Sequence, residues 1–331
     1  MIAPPEEGRG LPGRAGYRRR CGAAGTGVSI VGVARQQDEG PHFYKKPDGG
    51  YVRPIFRREG LRELALAVKM PSATVGGWSY GLALSVLEYV FGRVWLVRNV
   101  LDEPSDGFLS RALAIEGGHV TVMHRVRDLA ELVVNLLPVK GVEAPLDQVA
   151  SGAVESGYAE LIVGRLLYTH HVPFRFIWPS GKLGEDFDLE LTFPNGKIAC
   201  GDTKNKLETK DFSEKGIRNA LDHGRKQLPQ AFPGVIFIKV PPQWHQSADV
   251  MSRIEIVCKE FFRSTQRIVA VEVFAAFVET RGDVVHDWLQ GTEIRNEKHR
   301  FNPHENWRLL ALPADPTRRT TEWLRLVDLF E

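Results

Sequence analysis

The clearest alternation of apolar and polar positions in the chain lies between residues 184 and 193. It places three apolar and three acidic side chains on opposite faces: Phe187, Leu189, Leu191 and Asp186, Asp188, Glu190. This period of two predicts a strand with one buried face. A second strand-compatible run, residues 197–204, follows the sequence Pro194-Asn195-Gly196. We therefore predict a β-hairpin, around which the rest of the chain is interpreted.

The connection in this hairpin decides which side chains meet. Proline at the first loop position suits a type I turn, and Gly196 suits the left-handed residue that closes a three-residue loop. The predicted cross-strand pairs are Phe193 with Lys197, Asp188 with Asp202, and Asp186 with Lys204. A two-residue Asn-Gly loop would shift the register by one and place Asp202 on the opposite face from Asp188.

Other periodic runs give the order of elements after residue 148. Apolar spacing predicts helices at 151–170, 211–228 and 248–265, and strands at 172–178, 234–240 and 267–278. With the hairpin inserted, the order is helix, three strands, helix, strand, helix, strand. This alternation predicts an α/β fold.

The remaining sequence divides the chain into four regions. Residues 1–50, rich in Gly, Pro and Arg, are predicted to be a disordered tail. Residues 51–148 are predicted to be mainly helical, with helices at 61–70, 80–100 and 122–137, and His124 and Arg125 receive no chemical role. Residues 149–280 form the α/β core. Residues 281–331 are predicted to pack on the core, with an edge strand at 307–312 and a short helix at 322–330.

Composition limits the class of protein more than it defines it. The 331 residues are 43% hydrophobic and carry a net charge of only +2, so overall charge does not indicate nucleic acid. Three well-separated cysteines favour a reducing cytoplasm over a disulfide scaffold. The most apolar run, residues 80–100, contains Glu88, Arg93 and Arg98, which argues for a buried helix and against a membrane span.

The predicted hairpin has chemical consequences. Two carboxylates directly opposite each other destabilise a strand pair. Asp188 and Asp202 therefore call for a positive charge between them, and carboxylate oxygens are the ligands that Mg²⁺ prefers. Lys204, two residues after Asp202, could activate water beside the metal. A solvent-facing polar strand with ordinary charges is the alternative.

These residues resemble the PD-(D/E)XK, or restriction-endonuclease-like, nuclease superfamily. The strand acid would be Asp188, with Asp186 as its competitor, and the D/E-x-K element would be Asp202-Thr203-Lys204. The helix acid would be Glu160. Gln227 or Lys226 would fill the polar position on the following helix. The resemblance covers about residues 151–280 and implies a mixed sheet flanked by helices. Gly201 and Thr203 stand where the family usually has apolar residues.

The resemblance implies a Mg²⁺- or Mn²⁺-dependent nuclease, with DNA preferred to RNA on that basis alone. Asp188, Asp202 and Glu160 would hold metal, and Lys204 would activate water. Lys206, Lys210, Lys226 and Gln227 are candidates for contacting nucleic acid. One alternative is a catalytically silent nuclease-fold module in a larger nucleic-acid-processing or defence assembly, and another is an unrelated α/β protein. The N-terminal region is a candidate surface for a homodimer or partner proteins.

Overall fold

The computed structural model describes residues 42–46, 48–54, 56–68, 74–101, 107–109, 118–281, 284–302, 305–309 and 323–330. Residues 1–41 of the predicted disordered tail lie outside the described residues. The strands are β1 (Tyr44–Lys45), β2 (Tyr51–Val52), β3 (Phe174–Phe176), β4 (Leu189–Thr192), β5 (Ile198–Asn205), β6 (Gly234–Lys239), β7 (Ile268–Arg281) and β8 (Val284–Arg295).

The helices follow two groupings along the chain. Before the sheet come α1 (Arg58–Val68), α2 (Val75–Phe91), α3 (Arg93–Leu96), a π-helical segment (Val97–Leu101), α4 (Gly118–Leu136), α5 (Glu143–Ser151) and α6 (Val154–Thr169). Between the later strands come α7 (Glu214–Gln227), α8 (Pro242–Gln246) and α9 (Ala248–Phe262), and a 3-10 turn (Leu326–Leu329) lies near the end.

Six strands form one mixed sheet in the order β3-β4-β5-β6-β7-β8. The pairs β3–β4, β4–β5 and β7–β8 are antiparallel, whereas β5–β6 and β6–β7 are parallel. Parallel neighbours need a crossover connection. Here α7 lies between β5 and β6, and α8 and α9 lie between β6 and β7. The α/β prediction is therefore confirmed.

Alternating strand residues place a hydrophobic cluster on each face of this sheet. On one face, residues such as Phe237 and Phe274 join a cluster that includes α2, α4 and α6. On the other, Ile236 and Val273 pack with apolar residues of α7 and α9. Burial on both faces explains why β6 is continuously apolar in sequence. The helices before and after the hairpin thus cover opposite sides of the sheet.

Several predicted boundaries were wrong for identifiable reasons. The helix predicted from Ser151 begins at Val154, because Ser151 is the last residue of α5 and Gly152 ends that helix in a left-handed conformation. The helix predicted from Asp211 begins at Glu214, because Ser213 is its N-cap and accepts a hydrogen bond from Gly216 N. The sixth strand, β8, was missed. It pairs with β7 over its whole length, and its polar sequence gives little local indication of a strand.

The C-terminal predictions have mixed outcomes. Residues 307–309 form no strand, although the buried Trp307 packs against Phe193, and residues 310–312 lie outside the described residues. The predicted closing helix is reduced to the 3-10 turn. None of the helices described is both long and apolar enough to cross a membrane.

Candidate active site

The turn between β4 and β5 adopts the predicted three-residue form. Phe193 N donates to Lys197 O at 2.9 Å, and Gly196 N donates to Phe193 O at 2.8 Å. Gly196 has a φ of +77°, which glycine adopts without the steric cost that a Cβ imposes. The ladder continues through Thr192–Ile198 to Leu189–Gly201. The predicted register is therefore confirmed along β4.

The predicted alternation stops at the beginning of β4. Leu189 and Leu191 join the cluster facing α6, whereas Phe187 packs against the cluster facing α7. The ladder ends at Leu189, so neither predicted acid pairing is present: Asp188 is not paired with Asp202, and Asp186 is not paired with Lys204. Asp186 instead accepts a hydrogen bond from Gly181 N at 3.1 Å, which closes the preceding loop.

Asp188 lies immediately before the ladder, and its side chain bonds to the main chain of β5. Its Oδ2 accepts the Thr203 amide hydrogen at 2.6 Å. The carboxylate is thereby fixed beside the Asp202-Thr203-Lys204 element. Its pKa is nevertheless raised well above the ordinary value, first by burial and then by the charges of Glu160 and Asp202.

Asp202 and Lys204 extend from β5 toward α7. The Lys204 ammonium lies 3.0 Å from Oδ1 of Asp202 and donates to Gln227 Oε1 at 2.5 Å. Oδ2 of Asp202 lies 2.8 Å from the same ammonium, but it is buried and accepts no hydrogen bond. A Cβ at Gly224 would lie only 2.8 Å from this oxygen. Glycine at 224 therefore allows α7 to approach the carboxylate closely.

Glu160 reaches the same site from α6. Its Oε1 accepts a hydrogen bond from Gln148 Nε2 at 2.7 Å. Burial raises the pKa of Glu160 to about 7, with a further contribution from Asp202. Burial likewise raises the pKa of Asp202 to about 6, although Lys204 opposes the shift. The three carboxyl groups thus influence one another, and we call Glu160, Asp188, Asp202 and Lys204 the acid–lysine cluster.

The two unusual residues of the D-x-K element have structural roles. Gly201 faces Phe237 and Leu189, and a Cβ there would lie 3.0 and 3.3 Å from those side chains. The side chains of Phe237 and Leu189 therefore fill the space that an apolar side chain at 201 would occupy. Thr203 supplies the amide that holds Asp188, and its own Oγ1 is buried with no hydrogen-bond partner.

The predicted nucleic-acid residues lie in different surroundings. Lys206 is half-buried and donates to Gly216 O at 2.6 Å, and burial lowers its pKa. Lys210 and Lys226 are exposed. Gln227 contacts Lys204 directly and therefore belongs with the acid–lysine cluster.

Two neighbours of the cluster were not predicted. Gln148, on α5, bonds to Glu160, and nothing in its local sequence indicates this long-range contact. His223, on α7, lowers the pKa of Asp202 through its charge. It precedes Gln227 by four residues, a spacing that places both on one helix face and could have revealed it.

A second charged cluster lies between α4, α6 and β8. Among the described residues, one set of three metal-capable side chains has donor atoms within 4.8 Å of one another: His124, Asp128 and Asp287. Glu160, Asp188 and Asp202 do not form such a set, so an ion in direct contact with their carboxylates would use a pair of them. This limit matters because two oxygen ligands on opposite sides of one Mg²⁺ ion are only about 4.2 Å apart.

The second cluster is already neutralised by arginines, and we call it the arginine-balanced cluster. Asp128 accepts from Tyr158 Oη at 2.5 Å and from Arg165 at 2.6 Å. Arg165 also lies 3.5 Å from Asp287. Arg127 and Arg325 each lie 3.8 Å from the same carboxylate. These cations would repel a metal ion, so the geometry favours a structural ion network.

The fold and site together define an α/β protein with a six-stranded mixed sheet, helices on both faces, and buried acids beside a lysine at one strand end. Comparison with protein-family models, curated proteins and solved structures found no match.

Proposed function

We propose that this protein is a metal-dependent phosphodiester hydrolase acting on nucleic acid. The acid–lysine cluster is its active site, and the fold is of the restriction-endonuclease-like kind. The order of one helix, three strands, a helix and a further strand supports this interpretation. The preference for DNA rests on the resemblance to that superfamily.

The observation that carries the proposal is a deficit of positive charge. Buried Glu160 and Asp202 and half-buried Asp188 have raised pKa values, and among the described residues one lysine ammonium lies within ion-pair distance. A further cation beside carboxylates in such surroundings would favour their ionisation. A divalent ion would supply the missing charge.

The residues present fit such an ion. Asp188 and Asp202 offer hard oxygen donors. Oδ2 of Asp202 is buried, and the Lys204 ammonium lies 2.8 Å from it. These two aspartates would hold the ion, with Glu160 near enough to influence their ionisation. Bound Mg²⁺ or Mn²⁺ would supply Lewis-acid polarisation of a phosphodiester.

The chain itself supplies the proton and charge management. Lys204, held by Asp202 and Gln227, can orient a water molecule and offset negative charge as the phosphorus is attacked. Gln227 is neutral, so it directs the ammonium without cancelling its charge. Glu160, with a pKa of about 7, can exchange a proton near neutral pH.

The test is a cleavage assay with plasmid, single-stranded DNA and RNA, in Mg²⁺, Mn²⁺ or EDTA. Wild-type protein is expected to cut in metal and not in EDTA. Asp202→Asn and Lys204→Met should each reduce cutting by about 100-fold or more, because each removes a group that acts on developing charge. Asp249→Asn and Lys259→Met are matched controls on the exposed face of α9.

The outcome separates the alternatives. Cutting that survives both site variants, or that requires no metal, would show that the nuclease proposal is wrong. Binding of nucleic acid without cutting by the wild type would favour the catalytically silent module.

A further inference from the structure

A basic cavity adjoins the acid–lysine cluster at the far end of α7. Its volume is about 520 Å³, which is within the usual range for a small-ligand site. The walls come from the end of α7, the segment after it, the turn between α9 and β7, and two short loops. The cationic lining residues are Arg225, Lys226, Arg267 and Arg300. We call this space the arginine cavity.

Its charge is poorly compensated. The described residues that line the cavity include four cationic side chains and no Asp or Glu. Asp222 pairs with Arg225 at 3.1 Å from outside the lining. Burial lowers the pKa of Arg267, and Arg225 and Arg300 lower it further, so the three guanidinium groups are near enough to repel one another.

Arg267 and Arg300 are held by neutral carbonyl groups, and Arg225 bonds to one in addition to Asp222. Arg267 donates to Leu228 O at 2.9 Å and also to Arg225 O. Arg300 donates to Gln230 O, and Arg225 donates to Ser264 O at 3.3 Å. Carbonyl oxygens fix a guanidinium group without neutralising it, and each guanidinium has further N–H donors. Exposed Lys226 adds an ammonium group to the lining.

The cavity and the acid–lysine cluster share a structural element. Gln227, which accepts a hydrogen bond from Lys204, lies between Lys226 and Leu228, and both of these residues line the cavity. Gly184, in the loop leading to Asp188, lines it as well. A strand engaged at Lys204 would therefore have a neighbouring phosphate within reach of the cavity.

We propose that the arginine cavity binds a phosphate group of a nucleic-acid strand, adjacent to the phosphodiester attacked at the acid–lysine cluster. This inference deepens the proposed function and rests on it. Planar guanidinium groups match phosphate oxygens in geometry and charge. Such contacts position a strand without reading its sequence.

The experiment measures binding separately from cutting. Full-length protein in EDTA is titrated into internally labelled oligonucleotides that carry a 5′-phosphate, a 3′-phosphate or hydroxyls at both ends, and anisotropy is recorded at several salt concentrations. The variants are Lys226→Gln, Arg300→Gln and their combination. Lys259→Gln and Arg253→Gln, on exposed parts of α9 outside the cavity, are the matched controls.

Each cavity variant is expected to weaken binding roughly 5-fold and to reduce the salt slope by about one, while the controls match wild type. Tighter wild-type binding to one phosphorylated end, lost in the double variant, would identify a terminal phosphate as the ligand. Equal losses for all three oligonucleotides would identify an internal phosphate.

The inference is overturned if a folded double variant binds as tightly as wild type, or if wild type binds none of the oligonucleotides. Failure of the proposed function has a different result. In that case cavity variants would lose binding, but wild type would cut nothing in Mg²⁺ or Mn²⁺.

Discussion

The acid–lysine cluster and the arginine-balanced cluster use similar residues with opposite consequences. Each contains three buried or largely buried carboxyl groups. They are Glu160, Asp188 and Asp202 in one, and Asp128, Asp287 and the adjacent Glu131, which lies 4.0 Å from Arg127, in the other. The first has one lysine within ion-pair distance, whereas the second has Arg127, Arg165 and Arg325.

The difference appears in the protonation of individual groups. In the arginine-balanced cluster, nearby cations lower the pKa of Asp287 despite its burial, whereas burial and the neighbouring acids raise the pKa of Glu131 to about 7. In the acid–lysine cluster, burial outweighs the lysine and all three pKa values are raised. A buried charge is tolerated when its partner is also buried. Without that partner the group either becomes neutral through a shifted pKa or takes a partner from outside. Proximity of acids is therefore a weaker indication of a metal site than unbalanced charge.

The same substitution made in each cluster gives the strongest test of the difference in charge balance. Asp128→Asn should destabilise the protein by about 3 kcal/mol, because it leaves buried Arg165 without its closest carboxylate. Asp202→Asn should stabilise the protein by about 1 to 2 kcal/mol at pH 8 in EDTA, because it removes a carboxylate whose ionisation opposes folding. Urea unfolding of both variants beside wild type measures the two effects.

Asp249→Asn, at an exposed carboxylate on α9, is the control and should change stability by less than about 0.5 kcal/mol. Equal destabilisation by Asp128→Asn and Asp202→Asn would mean that both clusters are balanced. The acid–lysine cluster would then have no deficit of positive charge for a metal ion to supply.

The pH dependence of stability tests the raised pKa values of the acid–lysine cluster. The folded-state pKa values of Asp202 and Glu160, about 6 and about 7, lie above their ordinary values of 3.8 and 4.5. The folded state therefore holds these protons more tightly than the unfolded state, and stability falls as pH rises from about 4 to about 7. An Asp202→Asn, Glu160→Gln variant should show a smaller fall, by on the order of 2 kcal/mol.

Other groups titrate in the same range, so the difference between variant and wild type is the quantity to measure. Glu131, with a pKa raised to about 7, contributes a fall that both proteins share. Asp287 has a lowered pKa, so its stabilisation is lost only as pH falls through that lower value. Parallel curves for the two proteins from pH 4 to 8 would contradict the assignment of raised pKa values to the cluster.

Gln227 provides the smallest of these effects. Gln227→Met removes the acceptor that holds the Lys204 ammonium but keeps a side chain of similar length. Cutting should fall roughly 5- to 10-fold, corresponding to about 1 kcal/mol for one hydrogen bond to a charged group, with KM little changed. Gln227→Glu would instead pair with the lysine and should reduce the rate further. Equal rates for all three proteins would remove Gln227 from the site.

Local sequence predicted the parts of this site that depend on local geometry. The Pro-Asn-Gly loop determined the β4–β5 register, because Gly196 has a positive φ and Asn195 does not, as in the three-residue loop. The loop sequence did not predict that the ladder ends at Leu189. Beyond that point the Asp188 side chain, and not a main-chain carbonyl, accepts the Thr203 amide hydrogen. A period-two pattern cannot distinguish these arrangements.

Long-range contacts account for the features that sequence reasoning missed. His124 and Asp128 have the four-residue spacing of one helix face. Arg165, which neutralises Asp128 and Asp287, comes from α6, and Asp287 comes from β8. The arginine cavity similarly combines Lys226, Arg267 and Arg300 from segments far apart in the chain. Charge balance at such sites depends on tertiary packing, which the order of elements does not specify.

The most direct test of the missing charge is calorimetric titration of the protein with Mg²⁺ and Mn²⁺ at pH 8 in the absence of nucleic acid. We expect metal binding by wild type, with proton release because the ligands must ionise. Binding should be lost in Asp202→Asn and retained in Asp249→Asn. Absence of metal binding by wild type, or identical binding by Asp202→Asn, would contradict the account.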